Sequence, residues 1–285
     1  MKTLIRGGTV VTMERVNRLL EPAYIYIQDG KIAAVNPEEP PFSKLQAERI
    51  IEAEGRLILP GFVNAHGHLA MGLFRGLSEF IFGQPWEAYF QRSSSLKEHL
   101  EPEDYYLGAQ LLICEMIRAG ITSFADINYD DGGPPVTEWI AEAVLDSKMR
   151  ATLSLETNPY INIAATGLSY SREAAERSFQ RSLAFTRKYH RTQSSLVTSM
   201  LGLACPPALL PYEIDLVVSA AKAEGFGIQM HLAEIAHEML EWWQIYGASP
   251  FEVMEKLGLL DCHVLGGNVV FVEETDLQIK KEKPF

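Results

Sequence analysis

The sequence predicts an α/β protein built on a parallel sheet and preceded by a segment made only of strands. Three observations predict it. From residue 61 onward, short apolar runs rich in Val, Ile, Leu and Phe alternate with amphipathic helical stretches, and six such β units can be counted. Residues 1 to about 58 carry strand patterns and turn signals but no helical period. The rhythm changes sharply at Pro60-Gly61. Strands that alternate with helices pair in parallel through right-handed crossovers.

Each element has its own reason. TLIRGGTVVTM and AYIYIQDGKIAAV hold β-branched and aromatic residues, and QDGK between the halves of the second supplies an Asp-Gly hairpin turn. LQAERIIEAEGRLILPG continues the strand pattern. GFVNA (61–65) reads as a buried strand, and 103–120 as an amphipathic helix ending at Gly120. Strands follow at 121–127, 150–156, 196–205, 226–234 and, as GNVVFV, 267–272. Helices fall at 136–149, 171–189 and 211–225, then in EMLEWWQIYG and SPFEVMEKLGLL, the last opened by Ser249-Pro250. The closing LQIKKEKPF shows neither strand nor cap pattern.

Composition bounds the function. The 285 residues are 47% hydrophobic and 22% charged, enough apolar material for a sizeable core. A net charge of -12 without a Lys/Arg cluster argues against nucleic acid and anionic membrane as partners. No apolar run reaches the ~18 residues of a membrane span. Cys114, Cys205 and Cys262 lie far apart without a CxxC pair, which favours a reducing cytoplasm. No Walker, dinucleotide or GxSxG spacing is present.

The residues that could carry chemistry stand at strand ends. His66-Gly67-His68 closes the GFVNA strand, and two histidines two apart in an extended chain point the same way. Their position at a C-terminal strand end is where α/β folds place functional groups. Isolated, such a pair is more often two loop histidines with ordinary hydrogen bonds. His231-Leu-Ala-Glu234 supplies a second site: His231 offers a third imidazole, and zinc and iron centres commonly use three. Glu234, three residues on, is placed to act as a general acid/base on an activated water, or simply to complement a helix dipole. His99, His190, His237 and His263 are expected in solvated or supporting roles. Asp126, Asn128, Glu156 and Asn158 also end strands, as pocket residues or as turn and cap residues. Met71, Phe74, Trp86, Tyr89 and Phe90 could form an apolar substrate wall or pack a long loop.

LPGFVNAHGHLAM, EMIRAGITSFADINY and FGIQMHLAE, in this order, resemble the amidohydrolase superfamily over residues 1 to 272. The branch they are most similar to holds the cytosine, guanine and adenosylhomocysteine deaminases and triazine hydrolases. The resemblance implies a (β/α)₈ TIM-type barrel and a small β-sandwich assembled from both chain ends. Residues 1–58 would be the N-terminal part of that sandwich, and 59–285 the barrel domain in part. It implies one divalent metal, zinc or iron, held by His66, His68 and His231, with Glu234 as proton shuttle. The implied reaction is hydrolysis of a C–N (deamination) or C–Cl bond of a small heterocyclic substrate by a metal-activated water.

The departures shape the expectation. The family's further histidine at the end of strand six has no occupant in GGNVVFV, where Asn268 is read as lying within the strand. The sequence ends before strands seven and eight and their aspartate, so it resembles a shortened member with about six βα units. GLACPPA places Ala204 where a histidine is found in nucleoside-type deaminases, which argues against adenosylhomocysteine-type activity. LVTSMLGLAC offers no lysine for a binuclear centre. Unpaired outer strands predict a chain that associates with itself. Two other readings stay open: a catalytically inactive relative that serves as a binding or interaction protein, and a barrel enzyme without metal.

Overall fold

In the computed structural model, the described residues are 1–14, 18–38, 46–76, 97, 99–129, 136–157, 160–163, 167–190, 196–203 and 211–282. The chain divides into two compact units, Met1–Phe62 and Val63–Phe285.

The first unit is a five-stranded sheet. Its strands are β1 (Lys2–Val11), β2 (Leu19–Gln28), β3 (Lys31–Asn36), β4 (Arg49–Glu52) and β5 (Leu57–Ile58). They run in the order β3-β2-β1-β4, with β5 also on β1. The β2–β3 hairpin turns at Asp29 and Gly30, both with positive φ (52° and 77°). That is the geometry for which Asp-Gly is selected in two-residue hairpins. Val10, Ala23 and Ile25 form the small core of this unit.

The second unit carries six strands in the order β13-β12-β11-β8-β7-β6. These are β6 (Phe62–Gly67), β7 (Ile121–Asn128), β8 (Arg150–Glu156), β11 (Val197–Leu203), β12 (Ile228–Leu232) and β13 (Val264–Asn268). The ladders from β7 to β13 are all parallel. Helices α1 (Pro102–Arg118), α2 (Val136–Ser147), α3 (Arg172–Tyr189), α4 (Pro211–Glu224), α5 (Ala236–Tyr246), α6 (Pro250–Lys256) and α7 (Glu274–Glu282) connect or follow them. Local chemistry sets their starts. Pro102 follows a Glu101–Asp104 capping box, and Ser249 caps α6 in a second box with Glu252. Gly120, at φ 79°, turns the chain from α1 into β7.

Flat, six strands would separate the outer two by about 24 Å at ~4.8 Å per strand. Instead the His66 ring of β6 lies so close to Gly267 of β13 that a Cβ there would come within 2.5 Å of it. The sheet is therefore curled most of the way round a barrel. Two cores flank it. Ile113, Ile140, Val144 and Leu153 pack between α1, α2 and the β7–β8 side. Leu201, Val217, Ile228, Phe251 and Met254 pack between α4, α6 and the β11–β12 side. Ile228 is fully buried, so truncation to Ala would cost about 2–5 kcal/mol.

One local expectation is corrected, and two elements are added to the sequence reading. The last strand is Val264–Asn268 rather than 267–272, so Asn268 ends it instead of lying within it. The register explains why: Val264 and Gly267 pair with Ile228 and His231, which puts the small residues of VLGGN where the barrel interior is tightest. LQIKKEKPF, which shows neither strand nor cap pattern, continues α7 as far as Glu282; the helix start is fixed upstream by the buried Asp276, which accepts from the Glu273 amide at 3.0 Å and from Ser249 Oγ at 2.6 Å. A hairpin, β9 (Tyr160–Ile163) with β10 (Gly167–Tyr170), lies between β8 and α3 and was not expected. No helix among the described residues is long and apolar enough to cross a membrane.

Candidate metal centre

Alternation along β6 sends His66 inward, and the chain carries His68 just past the strand, where it precedes a 3-10 turn at Leu69–Met71. His231 is the fourth residue of β12. The curl of the sheet brings the three together: one ring nitrogen from each lies within 4.8 Å of the others. His68 and His231 stack with centroids 5.0 Å apart and an interplanar angle of 12°. His66 stands edge-on to both, at 4.8 and 4.9 Å.

The outer nitrogens of the stacked pair are already engaged. His68 Nδ1 lies 2.8 Å from the Ile127 carbonyl, which can only accept, so Nδ1 carries the proton. His231 Nδ1 lies 2.7 Å from Glu156 Oε1, an ion-pair contact rather than an aligned hydrogen bond, and the carboxylate's charge favours a proton on Nδ1. Both Nε2 lone pairs are thereby turned toward each other, 3.2 Å apart. Two such lone pairs repel unless a cation or proton stands between them. A tetrahedral ion at 2.0–2.1 Å from each nitrogen would hold its ligands about 3.4 Å apart, so the His68–His231 pair fits a divalent metal, with a His66 nitrogen within 4.8 Å of both. Outer contacts to a carbonyl or carboxylate are what orient ligand histidines in metal sites.

The electrostatics differ around the cluster. Burial, reinforced by the neighbouring imidazoles, pulls His66 down to about 4. Burial and His231 lower His68 as well. His231 is also penalised by burial, but the Glu156 contact and the charges of Glu156, Glu234 and Glu238 more than offset it, and its net shift is upward.

Buried carboxylates and amides behind the histidines hold these segments in place. Asp126, fully buried at the end of β7, accepts from the Leu69 amide at 2.6 Å and from Asn128 Nδ2. Asn128 Oδ1 accepts from the Ala70 amide at 3.3 Å. These two residues thus fasten the turn that follows His68, and both also line cavities beside it, so the pocket and turn roles the sequence allowed coexist. Burial pushes Asp126 up to about 7 against those hydrogen bonds.

On the far side, Glu238 is buried in the first turn of α5 and accepts from the Ala233 and Glu234 amides at 2.9 and 2.7 Å. Ala233 has a left-handed φ of 50°. Its carbonyl in turn accepts from the Val270 and Phe271 amides, each at 2.9 Å. Glu234 is therefore presented from a loop gripped on both sides, and its charge acts on both His68 and His231.

Sequence reasoning had not singled out Glu238 or Gly267, and it left Glu156 undecided. The available signals were a carboxylate ending a strand two places along the sheet from His231, and a second glutamate four residues after Glu234. His99, His190 and His263 stand apart, and the side chain of His237 lies outside the described residues. His190 caps α3, its Nδ1 at 2.9 Å from the Ser199 carbonyl. His99 and His263 are exposed. A cavity of about 410 Å³ opens against His68, lined by Met71, Tyr105, Tyr129 and Phe185 among others. Met71 therefore reaches a cavity wall, whereas Phe74 is buried in the core. Trp86, Tyr89, Phe90, Asn158 and Ala204 lie outside the described residues.

Comparison with known proteins gives a consistent outcome. A family model described as "Amidohydrolase family" matches residues 57–283. A 5-methylthioadenosine/S-adenosylhomocysteine deaminase of Pelotomaculum thermopropionicum is 31% identical over 280 residues, which is 98% of this chain and 60% of that protein. The crystal structure of atrazine chlorohydrolase from Arthrobacter aurescens TC1, complexed with zinc, superposes with a TM-score of 0.84 at 22% identity, covering 99% of this chain and 64% of that one. Guanine deaminase from C. acetobutylicum, with guanine bound, gives a TM-score of 0.80 at 17% identity, covering 99% and 66%. The chain spans about three fifths of the length of the curated relatives it matches.

Proposed function

The chain belongs to the amidohydrolase family, and from that premise we propose that it acts in the hydrolytic deamination of a small heterocyclic substrate. The observation that carries the reading is the convergence of three imidazoles, two of them oriented from behind so that their Nε2 atoms face one another 3.2 Å apart. His66, His68 and His231 hold one divalent ion; zinc is the first choice, since a structural neighbour was determined with it, and iron the second. Bound there, the ion supplies Lewis acidity and a nucleophile drawn from water near neutral pH.

The chain's own residues do the rest. Glu156 and the Ile127 carbonyl keep His231 and His68 in the tautomer that offers Nε2. Glu234 takes the proton from the attacking water and returns it to a ring nitrogen of the heterocycle. Of the four proposed site residues only His68 lines the cavity, whose volume lies within the range of small-ligand pockets. Cleavage of C–N rather than C–Cl is favoured because the curated relatives are named deaminases.

The reading takes residues 1–58 as the N-terminal part of a composite β-sandwich and 59–285 as part of the barrel domain. It places the protein in a reducing cytoplasm, where Cys114 and Cys262 stay free thiols. It also includes self-association, supported by exposed apolar side chains at Val63 on β6 and Leu107, Leu111 and Ile117 on α1, and size-exclusion chromatography reads it directly. A second reading, an inactive relative that binds a ligand, draws on Asn268, which ends the last strand where a strand-six histidine is implied.

The test is ammonia release by zinc-loaded protein from adenosine-type nucleosides, guanine and a chlorotriazine, with Glu234→Gln alongside. Turnover that falls about 10²–10⁴-fold in the variant while zinc is retained supports the proposal. Stoichiometric zinc without turnover of any substrate favours the inactive relative, and no zinc binding at all overturns the centre.

A further inference from the structure

We infer that Gly267 is a positioning residue of the metal centre: the absent side chain on the last strand is the space into which the His66 ring fits. The inference rests on the reading of the three histidines as a metal site. Gly267 pairs in register with His231, so any side chain on it would point to the same face, into the barrel. A Cβ there would lie 2.5 Å from His66 Nδ1, 2.6 Å from Cε1 and 3.2 Å from Cγ. The first two distances are shorter than any ordinary carbon contact, and they engage the ring itself rather than the tip of a flexible chain.

The strand is held in place, so the ring must give way. Gly267 is buried, and its strand is paired along its whole length with β12. Just beyond it, the Val269 amide donates to the Leu232 and Gly267 carbonyls at 2.9 and 3.0 Å. On the other side, His66 stands edge-on against both His68 and His231, with ring centroids under 5 Å away. The buried His66 Nδ1 has no hydrogen-bond partner that would hold the ring elsewhere. A methyl group at 267 would therefore displace the ring by several tenths of an ångström. Metal–nitrogen bonds tolerate about 0.2 Å. The strand that would have supplied a fourth histidine instead supplies a flat backbone surface against which His66 is aligned.

The test is zinc affinity, read by competition with a chromophoric chelator, for the parent protein, Gly267→Ala, His66→Ala, the double variant and His231→Ala. Gly267→Ala is expected to weaken zinc binding about 10–100-fold, the range for residues that orient ligands. In the His66→Ala background the same substitution should change nothing further. Parent-like zinc affinity in Gly267→Ala overturns the inference, and so does an equal loss with and without His66. Should Gly267→Ala fail to fold, the double variant decides: recovery of the far-UV spectrum supports a clash with the ring, and continued failure overturns it. If His66→Ala and His231→Ala both bind zinc as the parent does, the metal centre itself is wrong. That result is distinguishable from a failure confined to position 267.

Discussion

His68 and His231 stack face to face, yet they are held by different physics. His68 leans on a backbone carbonyl, and the turn behind it is tied down by Asp126 and Asn128, so no charged group touches the ring of that arm's histidine from behind. His231 leans on a carboxylate, and the loop behind it is gripped by a second carboxylate, Glu238. The two basicities separate accordingly: His68 moves down and His231 moves up. The difference teaches that one arm fixes where the centre is, and the other sets how strongly it attracts positive charge.

The sharpest way to break this comparison is at Glu156. Glu156→Gln keeps the shape but removes the charge, and it should weaken zinc binding about 10–100-fold, measured by calorimetry. No change would mean that both arms are positioned by geometry alone. On the other arm, Asp126→Ala should act on stability first. It strands the buried Leu69 amide, at a cost of about 1–3 kcal/mol in urea denaturation. A loss of zinc with stability unchanged would erase the contrast.

The pH dependence sharpens it further. Burial raises Asp126 from its ordinary 3.8 to about 7. The folded state therefore holds this proton more tightly than the unfolded chain does. Its contribution is fully present below pH ~4 and is lost as pH rises through about 7. Asp126→Asn should abolish that loss, so the stability gap between the two proteins should shift in the variant's favour from pH 5 to pH 8. Parallel pH curves would show that the Leu69 and Asn128 donors keep the carboxylate ionised throughout. The smallest effect is expected at Ala233, whose left-handed backbone suits glycine. Ala233→Gly should leave stability within about 1 kcal/mol of the parent, read by thermal denaturation.

The strand-and-helix order of the barrel and the two histidine motifs were legible because both are local. Apolar runs of four to eight residues alternate with helical stretches, and functional groups stand at the strand ends. What stayed hidden depends on contacts distant in sequence. GNVVFV has better strand composition than VLGGN, yet the chain pairs VLGGN with β12, because the interior at that level is filled by His66 from the opposite edge of the sheet. Glu156 was visible as a strand-end carboxylate, but only the curvature of the sheet turns it onto His231. Glu238 looked like one more acid on a helix; its burial and its two amide donors appear only when the Ala233 backbone bends back over it.

That bend has a consequence for motion. Because the Ala233 carbonyl receives the Val270 and Phe271 amides while Glu238 receives those of Ala233 and Glu234, the loop after β12 and the turn after β13 are stitched into one unit. Neither can open alone without leaving buried donors or acceptors unmet. In amide hydrogen exchange, Glu234, Val270 and Phe271 should therefore share a single protection factor and a single opening rate. Glu234 would then be as steady, or as restless, as the turn after β13.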